Sequence, residues 1–198
     1  MIGRPDEVIR GAVKANWDAI AKPLDGMGRF EEMTAQIGAI TGDERLDLSE
    51  KAVLIFCADN GIVAEGVSQA GQEVTLAVAK SMAKNASSVG RMARFAGADT
   101  IPVDIGINSD LTIDGVLDKK IAHGTRDFLI EPAMSEEETL GAIETGIALV
   151  AECKDKGYRI LATGEMGIGN TTTSSAVAAA LLGCKSALVV GRGAGLSD

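Results

Sequence analysis

Four short apolar runs constrain the fold of this chain more than any other feature. They cover residues 52–58, 100–107, 158–163 and 186–191. Polar residues scarcely interrupt them, whereas a strand with one face in water alternates polar and apolar side chains. Nearly continuous apolar runs are typical of parallel strands that are covered on both faces. We therefore predict four strands of a mainly parallel sheet.

Helical patterns separate these runs. Residues 73–95 carry apolar side chains at helical spacing, and Gly97 is placed as a stop. Ser135 and Glu138 form a capping box for a second helix. That helix is predicted to end at Gly157 and to bury the apolar face Leu140, Ile143, Ile147 and Val150. The alternation of strand and helix predicts an α/β fold with a doubly wound sheet.

The first part of the chain is different, because it carries two helical patterns with no strand between them. These patterns cover residues 5–20 and 29–40. We expect a small helical segment over residues 1–45, followed by an α/β nucleotide-binding domain over residues 46–198. The last apolar run leads into a glycine loop, residues 191–198, where a doubly wound fold would continue with a helix. The sheet is therefore expected to be incomplete at its C-terminal end.

Composition excludes several classes of partner. The formal net charge is −9 and only 3% of the residues are aromatic, which disfavours nucleic acid and anionic membrane surfaces. The three cysteines are dispersed and the single histidine has no partner at metal-ligand spacing, so neither a metal nor a cofactor is expected. The N-terminus resembles no secretory signal, and no window of about 20 apolar residues could span a bilayer. The expected location is the cytoplasm.

A glycine-rich segment, GEMGIGNTTTSS at residues 164–175, lies between the third apolar run and a helical pattern at 176–182. A glycine turn from a strand into a helix directs backbone N–H groups and the positive end of the helix dipole at one place, which suits a phosphate. Thr171, Thr172 and Thr173 add hydroxyl groups that could bind an anion or cap the helix. Glu165 places a carboxylate in the same turn.

The spacing of Gly164, Gly169, Asn170 and Thr171 almost matches the phosphate loop GxxxxGK[ST]. Asn170 stands where that motif has lysine, so the cation that would neutralise a β/γ-phosphate pair is missing. This difference favours a monophosphate over a nucleoside triphosphate.

Acidic residues also follow the ends of the first two predicted strands. Asp59 and Asp104 could contribute to a ligand site, because ligands of open α/β sheets bind beyond the C-terminal ends of the strands. Both could equally accept backbone N–H bonds in their loops. Glu165 differs, because a carboxylate beside a bound phosphate must face another part of the ligand, such as a ribose hydroxyl or a cationic centre.

Several segments together resemble one known family. They are KPLDGMGRFEEM, ADNG, GVSQAGQEVT, the run from Gly124 to Met134, GEMGIGNTT and GRGAGL, in that order. The chain resembles nicotinate-nucleotide–dimethylbenzimidazole phosphoribosyltransferases from Lys22 to its last residue. The resemblance implies transfer of ribose 5-phosphate from nicotinate mononucleotide to 5,6-dimethylbenzimidazole, which yields α-ribazole 5′-phosphate and nicotinate in cobalamin lower-ligand synthesis. It also implies a homodimer.

The resemblance implies roles for individual residues. Glu165 is the expected catalytic residue and stabilises the ribose and its developing positive charge. Ser68 and Gln72 match positions that line the benzimidazole pocket, and Met166 is a further wall of it. The nucleotide is expected to contact two loops, which contribute Gly167, Gly169, Asn170 and Thr171, and Gly191, Arg192 and Gly193.

The chain departs from the family pattern at three places. Asn60 replaces the histidine of the usual ADHG turn, and Gln69-Ala70-Gly71 replace an aromatic-proline pair. The glutamate regarded as the family's general base belongs to a later segment that nothing here matches. An alternative function is therefore a non-catalytic nucleotide-binding subunit or fragment, which needs a partner chain to supply the base.

Overall fold

The computed structural model describes residues 3–193. The chain divides between residues 48 and 49 into two compact units, each described here by itself. The first unit contains helices α1 (Glu7–Asp18) and α2 (Arg29–Thr41), which confirms both predicted helices. Asp6 caps α1, because its side chain accepts hydrogen bonds from two first-turn amides. Helix α2 ends at Gly42, whose φ of 69° is the left-handed conformation that favours glycine.

The second unit is built on a four-stranded sheet. Its strands are β1 (Lys51–Ala58), β2 (Asp99–Gly106), β3 (Leu117–Asp118) and β4 (Ile160–Met166). They are arranged in the order β3-β2-β1-β4, and every neighbouring pair is parallel. This confirms three of the predicted strands and the parallel sheet. Strand β3 escaped prediction because two residues are too few to show a hydrophobic pattern.

Helices cover both faces of the sheet. Helices α3 (Glu73–Ala83) and α4 (Ser88–Phe95) connect β1 to β2, α5 (Glu136–Asp155) precedes β4, and α6 (Asn170–Leu182) follows it. Ile55 and Cys57 pack in one core cluster with α3, whereas Leu54 packs in another with Leu149 and Cys153 of α5. Leu54 and Ile55 are adjacent and therefore face opposite sides of the sheet. The fold is thus α/β and doubly wound, as predicted.

Two predicted elements are wrong. The helix predicted over residues 73–95 is two helices, because Asn85 adopts a φ of 52° and the Ser87 side chain caps α4 by accepting from the Gly90 amide at 3.2 Å. Residues 186–191 do not form a strand. A short 3-10 turn, Ser186–Leu188, begins there, and the amides of Val189 and Val190 bond back to the Ser186 carbonyl. An apolar run becomes a parallel strand only where a neighbour accepts its backbone bonds.

The predicted glycine loop at residues 191–198 lies only in part within the described chain, since residues 194–198 are outside it.

None of the helices within residues 3–193 is both long and apolar enough to cross a membrane.

The predicted capping box of α5 is confirmed, with Ser135 and Glu138 bonded reciprocally. Its predicted apolar face is wrong. Leu140, Ile143, Ile147 and Val150 are each more than half exposed, while Leu149 and Cys153 are buried. The helix carries apolar residues on more than one side, and periodicity alone does not tell which side covers the sheet.

Candidate nucleotide site

The glycine loop at the end of β4 is shorter than the sequence predicts. Strand β4 continues through Met166 and α6 begins at Asn170, so the turn is only the three residues 167–169. The helix begins six residues earlier than predicted. Local structure at each end of the turn makes it shorter. Gly164 and Glu165 pair with Ile55 and Phe56 of β1 and so extend the strand, and the threonines occupy the first turn of the helix.

The loop geometry suits an anion. Gly169 precedes α6 with a φ of 91°, and no side chain caps the helix. The first N–H groups of an α-helix have no intrahelical acceptor, and the helix dipole adds positive potential at this end. The start of α6 can therefore receive a phosphate through backbone N–H groups.

A cavity of about 720 Å³ lies against this helix start. Residues from four stretches of the chain form its walls: the turn at 67–70, Phe128, the glycine loop with the first turns of α6, and the last described residues from Ser186 onward. The cavity brings together most of the residues predicted for the site, namely Ser68, Gly167, Gly169, Asn170, Thr171, Gly191 and Gly193. Phe128, which sequence reasoning did not select, supplies an aromatic wall.

Four predicted site residues lie elsewhere. Met166 packs against the core on the α3 side of the sheet. The Gln72 side chain donates to the Asn60 carbonyl at 3.0 Å and accepts from Asn108 at 3.2 Å, and it is not among the lining residues of the cavity. Glu165 is exposed and borders an adjoining depression of about 400 Å³, which shares Asn170 and Thr171 with the main cavity. Arg192 is not among the described lining residues of either space.

A buried asparagine at the end of β1 holds the glycine loop. Asn60 Nδ2 donates to the Ile168 carbonyl at 2.9 Å and to Asn170 Oδ1 at 2.7 Å, while Asn60 Oδ1 accepts from the Thr173 hydroxyl at 2.8 Å. On the other side, the Ile168 amide donates to the Thr75 hydroxyl at 3.1 Å. The loop is therefore anchored through both the carbonyl and the amide of one residue.

Asn170 links this network to the predicted catalytic acid, because its Nδ2 donates to Glu165 Oε2. From the sequence, Asn60 is only a departure from the ADHG pattern and is not among the predicted site residues. The signal available was its place in the turn after β1, at the ligand-binding edge of a parallel sheet.

The other strand-end acids serve the loops. Asp104 Oδ1 accepts from the amides of Gly106 and Ile107, at 3.1 and 2.8 Å, and its Oδ2 accepts from Lys120 Nζ at 2.8 Å. Asp59 Oδ2 accepts from the Asn108 amide at 2.8 Å, whereas Oδ1 is buried with no partner within residues 3–193. These contacts favour the loop-capping alternative for Asp104 and leave one oxygen of Asp59 unassigned.

The buried thiol of Cys57, on β1, is not a nucleophile. Desolvation, reinforced by the negative charge of Asp104, raises the pKa of Cys57 to about 12. Cys57 therefore stays protonated and belongs to the core.

The helical unit contains a cluster of acids of its own. Lys14 Nζ contacts carboxylate oxygens of Asp18, Asp25 and Glu31, and Lys22 Nζ lies 2.7 Å from Glu31 Oε1. The Lys22 bond and the Met27 amide lower the pKa of Glu31 to about 2, although burial opposes the shift. Two ammonium groups therefore hold these acids, as a structural ion-pair network.

Comparison with known proteins identifies the family of this chain. A family model described as phosphoribosyltransferase matches residues 2–198, and the chain therefore belongs to this family. The solved structure of CobT from Thermus thermophilus superposes with a TM-score of 0.90 at 33% identity, over 96% of this chain and 58% of that one.

Curated relatives carry a more specific name. Nicotinate-nucleotide–dimethylbenzimidazole phosphoribosyltransferase of Clostridium perfringens is 44% identical over 181 residues, which is 91% of this chain and 50% of the relative. The enzyme of that name from Chloroflexus aggregans is 42% identical over 198 residues, all of this chain and 56% of the relative. The chain thus spans about half the length of the curated relatives it matches. The family resemblance of the motifs is confirmed.

Proposed function

We propose that this chain binds nicotinate mononucleotide and takes part in transferring its ribose 5-phosphate to 5,6-dimethylbenzimidazole. The observation that carries the proposal is the junction of the glycine loop and α6, where an uncapped helix start, a cavity and an exposed carboxylate meet. The names of the relatives supply the substrates. The products would be α-ribazole 5′-phosphate and nicotinate.

The phosphate binds at the start of α6 in this proposal. Gly167 and Gly169 allow the ligand to approach the backbone closely, and Asn170 and Thr171 add polar side chains from the cavity wall. A neutral amide at position 170 suits the smaller charge of a monophosphate. Gly191, Arg192 and Gly193 form the second nucleotide loop, of which the two glycines line the cavity.

The aromatic base occupies the part of the cavity near residues 67–70. Phe128 offers a stacking surface there, and Ser68 offers a hydroxyl. Gln72 and Met166 contribute indirectly in this proposal. Gln72 donates a hydrogen bond to the Asn60 carbonyl, and Met166 packs against the core.

In this proposal a carboxylate supports the transfer. The bond between ribose C1 and the pyridinium nitrogen breaks, its electron pair neutralises that nitrogen, and nicotinate leaves. C1 gains positive charge, and a benzimidazole nitrogen attacks it with inversion, after which the other ring nitrogen releases its proton to solvent water. Glu165 is the proposed catalytic residue, because its negative charge stabilises the charge that develops at C1.

A second candidate function has an observation in its favour. Strand β4 is an edge strand within the described chain, and large apolar side chains of α5 and α6 are exposed, among them Ile147, Leu181 and Leu182. Exposed apolar surface of this kind marks an interface. The chain would then be a nucleotide-binding subunit whose partner polypeptide supplies the general base.

We also propose a homodimer and a cytoplasmic location.

The replacement Glu165→Gln tests the role of the carboxylate. Nicotinate release from nicotinate mononucleotide and dimethylbenzimidazole should fall about 10²- to 10³-fold, the typical loss when an electrostatic stabiliser is removed. The affinity for nicotinate mononucleotide, measured by calorimetry, should change by less than about threefold, since the phosphate is held elsewhere. Glu144→Gln, on an exposed acid of α5, is the matched control.

The outcomes separate the two candidates. Equal losses of turnover and affinity in Glu165→Gln would show that Glu165 is structural. A wild-type chain that binds the nucleotide but releases no nicotinate would favour the subunit alternative. A chain that does not bind nicotinate mononucleotide at all would refute both.

A further inference from the structure

We infer that Asn60 is a positioning residue for Glu165 and acts on it through the side chain of Asn170. The role of Glu165 in transfer rests on the function proposed above. The hydrogen-bond chain itself is independent of that function and can be tested without substrate.

A backbone carbonyl sets the direction of this chain. The Ile168 oxygen can only accept, so the group of Asn60 that faces it at 2.9 Å must be the NH₂. The same nitrogen reaches Asn170 at 2.7 Å, which means that Asn170 must present its oxygen to Asn60. The NH₂ of Asn170 is then directed at Glu165 Oε2. The Ile168 carbonyl oxygen thus determines that the Glu165 carboxylate accepts a hydrogen bond from Asn170.

Asn60 has little freedom to adopt another arrangement. Its residue is 5% exposed, and its side-chain oxygen accepts from the Thr173 hydroxyl at 2.8 Å. Its own carbonyl accepts from Gln72. Rotating the amide by half a turn would place oxygen against the Ile168 carbonyl and NH₂ against a hydroxyl that would have to reverse. Leaving buried polar groups unpaired is costly, so the network has one favoured direction.

The consequence for Glu165 is a defined pose. The donor from Asn170 holds Oε2. Oε1 is left to face a ligand in the depression that Glu165 borders together with Asn170. Because side-chain amides do not ionise in the neutral pH range, Asn60 and Asn170 keep one acceptor oxygen and one donor NH₂ each.

Asn60→Asp is the sharpest perturbation, because it keeps the shape of the side chain and removes its donor. The Ile168 carbonyl and Asn170 Oδ1 would then face a carboxylate. Asn170 would turn its NH₂ toward the new carboxylate at position 60 and present oxygen to Glu165. Nicotinate release should fall about tenfold or more, the usual scale for a lost hydrogen bond to a charged group. In Asn60→Ala, which removes the donor without adding charge, nicotinate release should fall by a similar factor. This variant replaces the aspartate variant if that one does not fold.

Two comparisons distinguish positioning from general damage. Asn108→Ala truncates another asparagine that contacts Gln72 but neither Asn170 nor Glu165, so turnover should change by less than about threefold. In the Glu165→Gln background, Asn60→Ala should cause almost no further loss, because residues that act as one unit are not additive.

A spectroscopic experiment tests the chain in the absence of substrate. In ¹⁵N-labelled protein, Glu165→Gln should shift the side-chain NH₂ resonance of Asn170, which is assigned by its loss in Asn170→Ala. In the Asn60→Ala background the same Glu165→Gln change should leave that resonance nearly unmoved.

If Glu165→Gln does not shift the Asn170 resonance in the otherwise wild-type chain, or if it shifts it equally without Asn60, the inference is wrong. Additive losses of turnover would also overturn it. If the proposed function is wrong instead, the wild-type chain releases no nicotinate. The effect of Glu165→Gln on the Asn170 resonance would still depend on the presence of Asn60.

Discussion

A methyl group at position 167 should disturb the glycine loop more than at most other glycines of the chain. A Cβ built on Gly167 would lie 2.0 Å from the Ala58 carbonyl oxygen and 2.6 Å from Asn170 Oδ1. Real Cβ contacts essentially never fall below 3.0 Å, so the loop must move by about 1 Å or more away from the end of β1. The obstacle is backbone, which cannot rotate aside as a flexible side chain would.

The size of the effect follows from that displacement. Overpacking of this kind typically costs about 1–3 kcal/mol of stability. Each kcal/mol lowers the Tm of a chain this size by roughly 2–4 °C. The functional loss should be larger, because displacing reacting groups by about 1 Å can cost 10²-fold in rate. Gly167→Ala would push Asn170 directly, so both the loop amides and Glu165 should be misplaced.

Gly146→Ala is the matched control, because a Cβ there meets nothing within 4 Å and the position lies inside helix α5. Alanine should stabilise it by about 0.5–1 kcal/mol. Calorimetric unfolding and titration with nicotinate mononucleotide compare the two variants. We expect Gly167→Ala to lose at least about tenfold in affinity while Gly146→Ala binds as wild type. Wild-type Tm and affinity in Gly167→Ala would refute the close approach of the loop to β1.

Two predictions concern pH. Tyr158 is the single tyrosine, and its hydroxyl donates to Asp99 at 2.6 Å, which together with burial raises its pKa to about 12. The stability it contributes is complete below pH 10 and is lost as pH rises through about 12, and Asp99→Asn should shift the tyrosinate absorbance change to lower pH. Glu31 is the opposite case: its pKa is lowered from 4.5 to about 2, chiefly by Lys22, so its contribution is present above pH 4.5 and lost as pH falls toward 2. Glu31→Gln should weaken this acid dependence in the fluorescence of Trp17, the single tryptophan, and an unchanged acid transition would contradict the Lys22 pairing.

The sequence predicted those strands that gain partners along their length. The runs that became β1 and β2 are paired from Ala52 to Ala58 of β1, so pattern and pairing agree. The run at 186–191 has the same apolar pattern but no adjacent strand within the described chain, and its amides bond locally instead. Helix α5 shows the same limit, because Ile143 and Leu149 are equally apolar and only packing decides that Leu149 is buried.

The loop of the candidate site was predictable, but its connections were not. Glycine spacing and the strand-to-helix change predicted a turn into a helix within residues 164–175, where the structure has an uncapped helix start, because these are local properties of the backbone. The link between Asn60 and Asn170 joins residues 110 positions apart. No local pattern contains such a contact, so the sequence marked Asn60 only as a departure from a motif.

Sheet register is the physical reason that this link exists. Strands β1 and β4 are paired so that Cys57 lies opposite Met166 at their C-terminal ends. Three residues beyond Cys57 the chain reaches Asn60, and four beyond Met166 it reaches Asn170. A parallel pair delivers both loops to the same edge of the sheet, whereas a one-residue slip would turn the side chains of β4 to the opposite face. The register therefore brings together two loops that are far apart in sequence. Gly167 matters because its backbone lies so close to the Ala58 carbonyl that no side chain fits there.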